Sequence, residues 1–84
     1  MKYEAIQPNM MIIHDDMSSS LISYNKCIAK KDNSTLFPLI VLDSIFWNYS
    51  KTTGKHRNIF LGETMKITQA KIDNGIYKLA NLNK

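Results

Sequence analysis

Ile59-Phe60-Leu61-Gly62-Glu63-Thr64-Met65-Lys66-Ile67-Thr68-Gln69-Ala70-Lys71-Ile72-Asp73-Asn74-Gly75-Ile76-Tyr77-Lys78-Leu79-Ala80-Asn81-Leu82 is the stretch on which the reading of this sequence turns. Apolar residues fall at Met65, Ile67, Ile72, Ile76, Leu79 and Leu82, with small residues at Gly62 and Gly75. That spacing suits two short helices packed at a steep angle, Ile72 and Ile76 anchoring the second. Thr68 is a natural N-cap for it. A helix over 69–82 then turns Gln69, Lys71, Asp73, Asn74, Tyr77, Lys78 and Asn81 outward. Residues 59–82 are therefore expected to form a helix-turn-helix presenting a polar, basic helix.

A helix that reads the major groove needs amides to meet base edges and cations to hold phosphates. Such a helix enters N-terminus first, so Gln69, Ala70, Asp73 and Asn74 are the expected base-edge residues, with Lys66, Lys71 and Lys78 on the backbone and the capping Thr68 also in the DNA-binding set. Lys55 and Arg57, in the polar run just ahead of the unit, complete the expected DNA-contacting set. The charge distribution agrees. Residues 1–50 hold four lysines against five carboxylates, whereas 51–84 hold six lysines and Arg57 against Glu63 and Asp73, so the net charge of +4 lies wholly in the C-terminal third. A basic surface draws polyanions by steering and counterion release, and the expected partner is double-stranded DNA.

Working outward, Lys51-Thr52-Thr53-Gly54-Lys55-His56-Arg57 reads as a polar turn. Before it, Leu39, Leu42, Ile45, Phe46 and Tyr49 make an apolar stripe that Pro38 can open, giving a central helix over about 37–51. Phe46 and Trp47 are read as core rather than as a ligand platform. Asp15 to Ser20 supply N-caps for a helix over about 18–31, in which Leu21, Tyr24 and Ile28 recur at three- and four-residue spacing. Residues 1–13 form an extended segment ending in Met10-Met11-Ile12-Ile13, a run too short for a helix and read as a strand. The expected fold is mainly α: one domain, 1–84, with a helical core over 18–82, a bundle of three to four helices and a short N-terminal strand.

Gly62, Met65, Ile67, Ile72, Gly75 and Ile76 resemble the small and apolar positions of phage helix-turn-helix repressors. The departure is Lys66, where that family's turn carries glycine. A wider stretch, with Leu39 to Ser50 as an aliphatic-aromatic helix and Ile67 to Leu79 as recognition helix, resembles the N-terminal winged-helix domains of phage and plasmid replication initiators. That resemblance implies origin DNA as ligand, a homodimer or repeated sites, and a role in replication initiation or transcriptional regulation. A winged helix carries a β-hairpin after its recognition helix, and here the sequence stops at Asn83-Lys84. Either the wing is missing, its strands come from residues 3–13, or the chain is a fragment of a longer protein.

Other chemistry has little foothold. Eighty-four residues suffice for a single core. Cys27 has no second cysteine with which to form a disulfide. The N-terminus lacks a signal-peptide layout and no run reaches the length of a membrane span, so a cytoplasmic setting is expected. His14, Asp15 and Asp16 point apart as sequence neighbours and make no metal shell. Gly54-Lys55 lacks the rest of a phosphate loop, and no serine is flanked by the glycines of a nucleophile turn. No enzyme, metal or cofactor is expected. The alternative function is a small phage-type protein that binds a host protein through the same scaffold, motivated by the Met10 to Ile13 run and Trp47.

Overall fold

The computed structural model describes residues 2–33 and 39–83, together with the side chains in those ranges except for residues 2–4, 6 and 7. Its elements are β1 (Lys2–Gln7), β2 (Met10–His14), β3 (Ser18–Ser23), β4 (Lys26–Asp32), β5 (Leu39–Asp43), α1 (Lys51–Leu61), α2 (Met65–Asp73) and β6 (Lys78–Ala80). The strands form one six-stranded sheet in sequence order. β1 to β5 are an antiparallel meander; the chain then crosses one face through both helices and returns as β6, parallel to β5.

The mainly α expectation is thus overturned, and with it the helix-turn-helix and winged-helix reading. The expected helix over 18–31 is the β3–β4 hairpin. Its two turn residues, Tyr24 and Asn25, both take positive φ, 50° and 66°, the backbone of a two-residue turn matched to strand twist. A bulge between Leu21 and Ile22 sets Ile28 beside Ala29, both buried. Bulge and turn together break the alternation of a regular strand and leave a spacing that mimics a helix. The expected helix over 37–51 is β5 followed by a turn over 44–50; its first two positions lie outside the described residues. β-Branched Ile40 and Val41 within a five-residue run favour the strand.

The polar turn expected at 51–57 is instead α1, capped by Ser50, whose side chain accepts from the Thr53 N–H. Gly62 ends it at φ 70°, a conformation in which glycine alone avoids a Cβ penalty. The recognition helix expected over 69–82 is the shorter α2, capped by Thr64 and not Thr68, and finished by Asp73. Gly75 at φ 74° turns the chain, and Lys78 enters β6. The strand expected at 10–13 is present as β2.

The core lies between the sheet and the helices. Ile12, Leu21, Ala29, Leu42 and Leu79 are successive cross-strand partners over five strands, so their side chains share a face. Leu21, Ala29 and Leu42 are buried there with Met10, Ile28 and Tyr77, and Phe46, Trp47, Phe60, Leu61 and Ile72 pack against them. The opposite row, Ile13, Ser20, Lys30, Val41 and Lys78, lies on the face away from α1. Among the described residues, no helix is long and apolar enough to cross a membrane.

Candidate functional site

Asp43, the last residue of β5, decides where the next turn goes. Its Oδ2 accepts from the backbone N–H groups of Ile45 and Phe46 at 3.1 and 2.8 Å. Its Oδ1 accepts from the Leu82 N–H at 2.8 Å and the Asn83 amide at 3.1 Å. Burial would raise the Asp43 pKa, but these donors outweigh it and hold the carboxyl below the usual carboxylate range. Asn83 in turn brackets Cys27, accepting from its N–H and donating to its carbonyl at 2.7 and 2.8 Å. The ends of β4 and β5 are so pinned to the C-terminal segment, which fixes the 44–50 turn.

That turn stands opposite the Tyr24–Asn25 hairpin, and between them lies a cleft of about 350 Å³. Tyr24, Phe46 and Tyr49 supply its aromatic surface, Lys26 its charge, and Ser23, Ser50 and Thr53 its hydroxyls. The Phe46 and Tyr49 rings meet at 5.3 Å and 57°, and Lys26 Nζ lies 5.6 Å from the Phe46 centroid. Tyr49 is 70 % exposed and Tyr24 48 %, so both rings keep open faces. Below them runs a chain of hydroxyls. Ser50 Oγ donates to Thr53 Oγ1 at 3.2 Å, Thr53 meets Ser23 Oγ at 3.4 Å, and Ser23 shares a 2.8 Å hydrogen bond with His56 Nδ1. His56 is 1 % exposed, with Tyr24 stacked on it at 6.0 Å. Burial holds its pKa below the ordinary imidazole value, so the ring is neutral near pH 7. Ser23 and His56 do not make a hydrolytic triad: among the described residues no carboxylate is bonded to the imidazole.

A second groove, about 470 Å³, adjoins the first across Ser50 and runs along α1 past Asn48, Lys51, Gly54, Lys55 and Asn58. Behind Gly54 lies Arg57, which is 0 % exposed. A Cβ placed on Gly54 would sit 3.6 Å from Arg57 Nη2. The guanidinium donates to the Trp47 carbonyl at 2.8 Å, Asn48 Oδ1 at 3.1 Å and Asn58 Oδ1 at 3.0 Å, and lies 5.2 Å from the Trp47 ring centroid. Its hydrogen-bond partners are neutral oxygens, and Nε has none. Burial lowers its pKa while Glu63 raises it, and the group remains a cation, as arginine does in proteins. Among the described residues, the charged side chains lining the two concavities are Lys26, Lys51 and Lys55, and no carboxylate lines either.

Of the residues expected from sequence to contact DNA, Lys55 lines this surface and Arg57 lies beneath it. The others lie away from it, on α2 and its C-cap except for Lys78 in β6. Thr68 is buried, donating to Glu63 Oε1 and the Thr64 carbonyl. Lys71 is tied to Glu63 at 2.8 Å and Tyr77 at 3.3 Å. Gln69 donates to Asp73, and Asn74 to the Ala70 carbonyl. Lys66 and Ala70 are exposed on α2, and Lys78 lies on the far face of the sheet. Sequence reasoning missed Tyr24, Lys26, Tyr49, Ser50 and Lys51. Two signals for them were legible: Asn25, apt for a tight turn, and Ser50, an N-cap type before a helix. Phe46, read as core, both packs against the core and lines the cleft.

Fold and site together define a two-layer α+β domain, a sheet crossed on one side by two helices, with a cationic, aromatic-lined surface where the first helix begins. The chain belongs to a family of unknown function, DUF8033, which matches it over residues 2–75. The match takes in every residue of both concavities. No curated protein and no solved structure matches the chain.

Proposed function

We propose that this domain binds nucleic acid through the surface at the start of α1. The observation that carries the reading is the joined pair of concavities whose charged lining, among the described residues, is Lys26, Lys51 and Lys55 without a carboxylate. α1 has no acidic residue in its first turn and begins with Lys51, so the positive end of its dipole is reinforced. Arg57 behind the groove adds a cation bonded only to neutral oxygens. Exposed tyrosines beside lysines are the pairing by which proteins hold bases and phosphates together.

The test is fluorescence anisotropy of a labelled random-sequence oligonucleotide at two salt concentrations. Binding is expected to weaken steeply with salt. The double variant Lys51→Ala, Lys55→Ala should reduce the logarithmic salt slope by about 1.4, roughly 0.7 for each single-strand phosphate no longer neutralised. Lys30→Ala with Lys78→Ala, on the opposite face, should leave it unchanged. Loss of binding in the second pair and not the first would overturn the assignment.

One observation favours a protein partner instead, either a host protein or a second copy. The sheet face away from α1 carries the cross-strand pair Met11 and Ile22, with Ile13 and Val41 in the neighbouring row, and Met11 is exposed. That reading requires Met11→Glu to abolish association with the partner while nucleic-acid binding is untouched.

A further inference from the structure

We infer that the cleft receives one unpaired nucleobase while the adjoining groove takes the phosphate next to it, so that the domain recognises single strands, loops or extruded bases in preference to duplex. This rests on the nucleic-acid reading above and deepens it.

Size is the first argument. At about 350 Å³ the cleft lies at the small end of ligand sites, which run from about 300 to 1,000 Å³. It has room for one base and its sugar.

The walls are the second argument. Tyr24 and Tyr49 present open ring faces at the mouth. Stacking on aromatic rings is the common means of holding unpaired bases, because every base has a π-face. A base inside a duplex is already stacked and paired, so entry would require its extrusion. Ser50, exposed where the two concavities join, offers its hydroxyl oxygen to a base edge, while Ser23 and Thr53 beneath it are buried and bonded to one another.

Adjacency is the third argument. Ser50 belongs to both concavities, so a base in the cleft places its backbone at the start of the groove where Lys51 and Lys55 stand. The apolar part and the anionic part of a nucleotide thus meet surfaces of matching character. A duplex-binding surface needs only the lysines; the aromatic cleft would then have no occupant.

The experiment uses the full chain and three labelled probes: a short oligothymidine strand, an oligothymidine–oligoadenosine duplex of half its length so that the phosphate count is matched, and an abasic strand as long as the first. Anisotropy at low salt should show the thymidine strand bound roughly tenfold or more tightly than either of the others. Tyr49→Ala should erase that advantage and leave abasic-strand binding unchanged. Tyr49 is largely exposed, and an unchanged thermal melt would show that its variant folds. Equal binding of all three probes by the unmodified chain would overturn the base-binding inference while leaving the electrostatic reading standing. Failure of every probe to bind, at low salt and in the same preparation, would overturn both.

Discussion

Tyr24 holds a backbone conformation, φ 50°, that a bulky residue adopts only at a cost of about 1 to 2 kcal/mol. Asparagine meets that turn position with far less strain. What the tyrosine supplies is its ring, stacked over His56 and exposed at the cleft mouth. Tyr24→Asn should therefore leave stability within about 1 kcal/mol, relief of strain offsetting the lost stack, while weakening single-strand binding severalfold; chemical denaturation and anisotropy on one preparation check both. His56 makes a different prediction. Its pKa is depressed in the folded chain by burial, so between that value and the unfolded value near 6.5 the unfolded state binds the extra proton. Its contribution to stability is complete above about pH 6.5 and is lost as pH falls through the folded value. Urea midpoints measured downward from pH 7 should fall, and His56→Gln should flatten that dependence. Asp43 has the same sign at lower pH. Asp43→Ala leaves the Leu82, Ile45 and Phe46 N–H groups without their acceptor and should cost about 2 to 4 kcal/mol.

α1 shows at the element scale why so much of this fold escaped the sequence. Its buried residues are Thr53, Gly54, His56 and Arg57, all polar or without a side chain, so the helix has no apolar stripe for periodicity to find. What was legible was the apolar Met10 to Ile13 run that became β2; Ser50, an N-cap residue type, falls within the helix expected over 37–51. The β3–β4 hairpin misled in the opposite way: the bulge at Leu21 and Ile22 set two adjacent residues, Ile28 and Ala29, facing the core, and Leu21, Tyr24 and Ile28 then fell at helical spacing. Thr64 and Thr68 compete as caps in α2, and the outcome follows from Thr68 being drawn inward to Glu63. For the site, cationic lysines were expected in the C-terminal third, and Lys55 was among them. The aromatic half was invisible because Tyr24 and Tyr49, far apart in sequence, come to line one cleft only in the folded chain. The two glycines of this helix predict opposite effects. Gly54→Ala meets only ordinary van der Waals neighbours and should raise stability by about 0.5 to 1 kcal/mol. Gly62→Ala, at positive φ, should lower it by about 1 kcal/mol. Thermal melts of the pair decide whether α1 ends where described.

Across the whole molecule the sheet divides two chemistries. One side carries the helices, a core and, at its rim, the cationic aromatic surface. The other presents Met11, Ile13, Ile22 and Val41, interspersed with Lys30 and Lys78. Charge alone does not say which side meets a polyanion, because lysines stand on both. The distinction comes from shape and companions: Lys26, Lys51 and Lys55 border concavities with aromatic and hydroxyl walls, whereas Lys30 and Lys78 flank Val41 on a sheet surface. The claim that nucleic acid is bound at the start of α1 is tested most directly by following backbone amide resonances of the full chain during titration with oligothymidine. Shifts are expected to concentrate at Tyr24 to Lys26 and at Tyr49 to Lys55, with Met11, Lys30, Val41 and Lys78 unmoved. Shifts centred on the open sheet face, or on the exposed residues of α2, would contradict it.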